Sequence, residues 1–272
     1  MSSNKKAQDD EGKIRDPTAM KTIILCLALI SLAVAQKPMM QKDRQVLFDF
    51  RVDDEVTPVK IAPATQRMVL SKVFRRYLTD TNKCNFPADA GEDYLAAARK
   101  AGQMVPTIGD VEQGSFTAPG QTQTLYVIDV SECNASHADN FGTKRVAIFS
   151  GQQLVADVDA DFARGVIKKT DLNSDGVDEL LMMTSDMSQG TLTEMATLVS
   201  FQNGRRHVLQ DFGSVVLDSC ASGFPDSTSE ASVIYISDVS PGAMPKITQE
   251  NYSSGCTKRK RWRLVSRGKK VD

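Results

Sequence analysis

The sequence predicts a mainly β fold of the α+β class, with antiparallel sheets in a sandwich or propeller-like arrangement and a helical N-terminal portion. Three observations lead there. Beyond about residue 110, short apolar runs recur between turn residues, as strands joined by tight turns require. Before it, apolar residues fall at three- and four-residue steps, the period of a helix face. A chain of 272 residues with 41% hydrophobic content and a formal net charge of −1 has the composition of a globular protein with one ample core or two modest ones. Near-neutrality argues against a dedicated nucleic-acid binder, although the C-terminal end is strongly basic.

Residues 1–19 are charged and precede Met20, so they read as an upstream extension and Met20 as the true start. Residues 20–35 read as a signal peptide: one apolar run closes in Ala33-Val34-Ala35, the small-x-small pattern that signal peptidase cleaves. The run is short for a membrane span, which needs about 20 apolar residues, and an uncleaved anchor is the competing reading. Export implies a secreted or periplasmic protein. It leaves Cys84, Cys133, Cys220 and Cys256, an even number that suggests two disulfides. Of the three pairings, Cys84 with Cys133 and Cys220 with Cys256 keeps each bond within one half of the chain. Zinc is the rival use, but no Cys-x-x-Cys occurs and only His137 and His207 are available to help.

Residues 36–110 form the helical N-terminal portion. They open on Val46 to Val52, whose alternation suits a short half-buried strand or an extended leader. From Pro63, a residue suited to a first helical turn, the spacing of Val69, Leu70, Val73, Phe74, Tyr77 and Leu78 predicts a helix. Arg67, Lys72, Arg75 and Arg76 take its other face, which reads as solvated. A second short helix runs from Glu92 to Lys100, acidic first and basic last as the helix dipole favours, and Gly102 ends it.

Residues 111–272 form the β-rich domain. Strands are expected at 124–130, 146–149, 154–156, 165–168, 180–184, 196–201, 206–209, 215–218, 233–236 and 262–265. Asp157, Asp159 and Asp161 alternate between the third and fourth of these and read as a solvated strand face or turn, since Phe162 stands where a cation loop would need glycine.

One stretch sets oxygen-bearing side chains at a fixed alternation. Asp171, Asn173 and Asp175 occupy positions 1, 3 and 5, Gly176 permits a sharp turn at 6, the Val177 carbonyl serves at 7, and Glu179 follows at 9. Calcium takes six to eight oxygens from such a mixture of carboxylates, amides and carbonyls. An Asx-rich turn that binds nothing uses the same residue types, but these correctly spaced features exceed what a turn requires. An EF-hand is ruled out, because Asp178 stands at the apolar position 8 and Met182 at the position 12 that needs a bidentate Glu. The stretch from Asp171 to Leu181, with its flanking strands over about residues 145–185, resembles the calcium loop of the FG-GAP and VCBS repeats of integrin α-chains and secreted bacterial proteins. Phe116 to Gly120 is faintly similar to the Phe-Gly and Gly-Ala-Pro parts of that motif. The resemblance implies calcium held by Asp171, Asn173, Asp175, Val177 and Glu179. One copy is present, whereas a propeller of such blades needs many.

No nucleophile elbow or phosphate loop occurs, and Ser136-His137-Ala138-Asp139 is too local to be a triad. No catalytic residues are assigned. The expected function is a calcium-binding protein with a structural or binding role. One alternative is a cell-surface or polyanion-binding module using Lys258, Arg259, Lys260, Arg261 and Arg263; another is a calcium-dependent hydrolase using Asp157, Asp159 or His137. Trp262 and Leu264 are expected to face inward from a last strand whose basic side is solvated. Asn134 and Asn251 fit the glycosylation acceptor pattern.

Overall fold

The computed structural model describes residues 44–52, 59–86, 94–131, 133, 144–160, 164–257 and 259–267. These belong to one compact unit, Asp43–Asp272; the other unit, Met1–Lys42, where the extension and signal peptide are expected, lies outside the described residues. The described strands form two antiparallel sheets. The smaller consists of β2 (Thr107–Gly114), β3 (Gln123–Asp129), β4 (Lys144–Ser150) and β5 (Gln153–Asp159), paired in chain order.

Strands β3 and β4 are buried on both faces, so side-chain alternation feeds two different cores. Leu125 lies opposite Ile148 and Val127 opposite Val146; these four turn to one side and pack with Leu180, Met182, Val199 and Phe201 of the larger sheet and its flank. Tyr126, Ile128, Ala147 and Phe149 turn to the other side and pack under Val69, Leu70 and Phe74. There Tyr126 and Phe149 meet edge to face with ring centres 5.6 Å apart.

Helix α1 (Pro63–Val73) forms that cover, with proline in its first turn as expected. It stops a turn earlier than its apolar spacing predicts. Phe74 is already extended, and the Leu78 N–H goes to the Met104 carbonyl at 2.7 Å, so pairing with a distant segment replaces the last helical turn. Helix α2 (Tyr94–Ala101) closes at Gly102, whose N–H reaches the Arg99 carbonyl. Glu92 and Asp93, the expected acidic start, lie outside the described residues. These two helices accompany β1 (Gln45–Asp49), which joins the large sheet, so the N-terminal portion is not a helical unit of its own.

The larger sheet runs β12 (Arg263–Arg267), β11 (Lys246–Gly255), β10 (Thr228–Ser237), β9 (His207–Asp218), β8 (Thr191–Ser200), β7 (Glu179–Ser188), β6 (Gly165–Thr170), each strand paired with its chain neighbour, and curls into a half-barrel. β10 pairs with β9 through Ser229–Ala231 and with β1 through Val233–Ile236, so two strands share one of its edges. The hollow is filled by Leu47, Phe50, Leu181, Leu198, Phe212, Ala231 and Ile234.

Three expectations change here. The two strands expected at 206–209 and 215–218 are one strand, β9. The intervening Asp211-Phe212-Gly213 carries bulges against β8, and the Asp211 carboxylate accepts the Gly213 N–H at 2.9 Å. β2 and β11 were not expected at all, because their sequences are too polar to stand out. Leu264 is 45% exposed rather than inward, since β12 is the outermost strand and its register against β11 shifts between Asn251 and Tyr252. Trp262 does pack on the half-barrel core. Both disulfides form as favoured: Cys84–Cys133 with Cα atoms 5.2 Å apart, and Cys220–Cys256 at 5.4 Å.

Candidate metal centre

The stretch from Asp171 to Asp178 is the connection between β6 and β7, and Glu179 opens β7. Ser174 (φ 57°) and Gly176 (φ 83°) take left-handed backbone conformations that fold it back on itself. Gly176 serves twice, for a Cβ there would lie 3.1 Å from Pro119. The side chains close the turn from within. Asp171 accepts the N–H groups of Asp175 (3.1 Å) and Gly176 (2.9 Å), Asn173 Oδ1 accepts Asp175 N–H at 3.0 Å, and Asp175 Oδ1 accepts Val177 N–H at 2.8 Å.

Glu179 is the buried member, 2% exposed, and its Oε2 accepts the Leu172 N–H at 2.8 Å. Burial pushes its carboxyl up to about 7; the Leu172 N–H opposes the shift, while the negative charges of Asp175, Asp171 and Asp178 add to it. Among the described residues no Lys or Arg forms an ion pair with any of these four carboxylates. The Val177 side chain is fully buried, which turns its backbone into the loop. Among the described residues, no group of three or more His, Cys, Asp or Glu is gathered closely enough to hold a metal ion. The carboxylates are instead turned onto the backbone N–H groups just described. The donor set is oxygen-rich and, among the described residues, without a cationic side-chain partner, which suits a hard cation in its chemistry.

Two partners of this loop were not legible in the sequence. Asp178, the residue that breaks the EF-hand pattern, ties the loop to the segment after β2. Its N–H donates to the Ser115 carbonyl at 2.7 Å, and its Oδ2 accepts the Ser115 N–H at 2.8 Å. Gly114 must lack a side chain, because a Cβ would lie 2.4 Å from that Asp178 oxygen. Phe116 is buried in the core beside Leu180, so the Phe116 to Gly120 stretch and the loop do meet. On the other side, Gly242 N–H donates to the Asn173 carbonyl at 2.5 Å, which brings in the turn between β10 and β11.

The remaining sequence candidates fall elsewhere. Asp157 and Asp159 lie on β5 and are gripped by Arg145 at 2.7 and 2.8 Å. Asp161, His137 and the Ser136–Asp139 run lie outside the described residues, as do Asn134 and Lys258. Asn251 sits inside β11 between two strands and donates to Ser266 Oγ. Lys260 pairs with Asp218 at 2.9 Å and lies over the Trp262 ring, whereas Arg259, Arg261 and Arg263 are exposed. Among the described residues no helix is long and apolar enough to cross a membrane. Comparison with family models, with characterised proteins and with solved structures finds no match.

Proposed function

We propose that the protein is an exported, calcium-binding β protein of FG-GAP or VCBS type, with a structural or binding role and no catalysis. Calcium would be held by Asp171, Asn173, Asp175, the Val177 carbonyl and Glu179. The observation that carries this reading is the Glu179 carboxylate, buried beside three aspartates with no Lys or Arg paired to any of them among the described residues. A divalent cation would supply that positive charge, and its binding free energy would add to folding stability. The alternation of ligands along the loop supports it, as do the two disulfides, which suit an oxidising compartment. Because the loop is bonded to Ser115 on one side and Gly242 on the other, tightening it would stiffen the junction of both sheets.

The test is thermal unfolding in calcium and in chelator. At a calcium concentration roughly 100-fold above Kd, the gain is about 2.7 kcal/mol, on the order of 5–10 °C in Tm for a chain of this size. Asp175→Ala should remove that gain. Equal Tm values in calcium and chelator for the unaltered chain would refute the proposal.

A further inference from the structure

A second surface of the half-barrel carries positive charge without ion-pair partners among the described residues. Residues 259–262 lead into β12 at the edge of the sheet, and alternate residues line two different cavities. Lys260 and Trp262 turn to the hollow, where Lys260 is neutralised by Asp218. Arg259, Arg261 and Arg263 turn the other way, into an open groove of about 850 Å³ that they line together with Ser253 and Thr257. No carboxylate lines this groove, and none of the three arginines forms an ion pair among the described residues. Nearby Arg44 and Arg267, by contrast, both reach Glu250.

The backbone that carries the arginines is also held in place. Arg261 N–H donates to the buried Ser254 Oγ at 2.8 Å, Thr257 Oγ1 donates to the Arg259 carbonyl at 2.8 Å, and Arg263 stands opposite Ser253 in the β11–β12 register. The Cys220–Cys256 disulfide anchors the segment immediately before Thr257. Alternate side chains on an extended chain are about 6–7 Å apart. The three arginines stand at every second residue of the segment, all lining the same groove.

We infer that this groove binds a linear anionic glycan bearing sulfate or carboxylate groups. A planar guanidinium matches either group with two parallel hydrogen bonds, and the Ser253 side chain lines the groove with a hydroxyl that a sugar could meet. Single-stranded nucleic acid is the competing polyanion, but its proteins stack bases on aromatic rings, and the one ring in this stretch, Trp262, faces the opposite side. The segment is preformed, so binding costs little ordering.

The experiment measures affinity of the full chain for a heparin-derived octasaccharide by calorimetry across a salt series. A single-stranded oligodeoxynucleotide of equal charge is measured in parallel. The variant Arg259→Gln/Arg261→Gln/Arg263→Gln is compared with Arg67→Gln/Lys72→Gln/Arg75→Gln, which removes the same charge from an exposed part of the helical region. The expected result is a loss of about tenfold in affinity at low salt in the groove variant alone, with the slope of log K against log salt falling by about 2–3. Single Arg→Gln changes should each lower the slope by about 1 and leave Tm unchanged, which separates lost binding from lost folding. Equal losses in both triple variants would mean only diffuse charge attraction and would overturn the site. Tighter binding of the oligodeoxynucleotide would overturn the glycan assignment. Self-association of the groove variant with glycan affinity intact would reduce the arginines to guards of an open strand edge.

Discussion

Glu179 concentrates the chemistry of the loop in one side chain. A carboxylate so deeply buried is costly unless paired, and here its immediate company is three more carboxylates and one backbone N–H. Replacing it by Gln keeps an acceptor for Leu172 while removing the charge. Glu179→Gln should therefore raise stability in chelator at neutral pH by about 1 kcal/mol, and at the same time lose the calcium response. A variant less stable in chelator than the parent would contradict this account of the cluster. The alternation of oxygen-bearing groups at 171, 173, 175 and 179 was readable from residue types alone, because short-range geometry in a turn follows sequence spacing. What Asp178 does was not readable: its partner Ser115 is 63 residues away and is brought alongside only by packing of the two sheets. The same holds for Asp110, whose carboxylate accepts the Val166 N–H at 2.7 Å and so fastens β2 to β6.

At the scale of elements, the four-stranded sheet is the hinge between the cores. Ile148 and Phe149 are neighbours in sequence, both fully buried, and belong to different clusters. Ile148→Ala should cost about 2–5 kcal/mol and Phe149→Ala about 3–5 kcal/mol. The first should loosen the contact with β7 and β8, the second the seating of α1. Hydrogen exchange would check this: faster exchange in α1 for Phe149→Ala alone is expected, and equal effects of both changes there would count against two separate cores. The continuous apolar runs of β3 and β4 marked them as strands, yet runs of this kind do not say what covers each face. Where elements ended was less legible. α1 stops at Val73 and the two expected C-terminal strands fuse into β9, because in both places a long-range or side-chain-to-backbone bond outweighs local preference.

For the whole molecule, acid stability is set by carboxylates that bind the chain's ends to its sheets. Glu250 on β11 receives Arg44 at 2.8 Å, Arg267 at 3.3 Å and the Tyr252 hydroxyl at 2.7 Å. Burial alone would raise its pKa, but the bonds from Arg44 and Tyr252 and the two arginine charges outweigh that and hold it below its usual value. Asp218 is likewise held down: Lys260 and the Cys220 N–H outweigh its burial. A carboxylate whose folded pKa is depressed contributes stability above its unfolded pKa and loses it as pH falls through the folded one. The contribution of these two carboxylates to unfolding free energy should thus be level near neutrality and decline below about pH 4.5, the ordinary Glu value. Glu250→Gln should lower it by about 3 kcal/mol at neutral pH, by leaving Arg44 unpaired, and should flatten the acid decline. An acid limb as steep in the variant as in the parent would remove Glu250 from this role.

The sequence by itself determined the β class, the two helices, the turn between β6 and β7 and the cysteine pairs, since each rests on local period, local turn chemistry or a short list of pairings. Only the tertiary structure decided that polar β2 and β11 are strands, that β3 and β4 are shared between cores, and that Lys260 is neutralised while its neighbouring arginines form no ion pair among the described residues. The physical reason is the same in each case. A polar strand becomes favourable when flanking strands take its backbone hydrogen bonds, and a charge is tamed or left bare by partners 40 or more residues distant. Neither kind of information is held in any window of sequence.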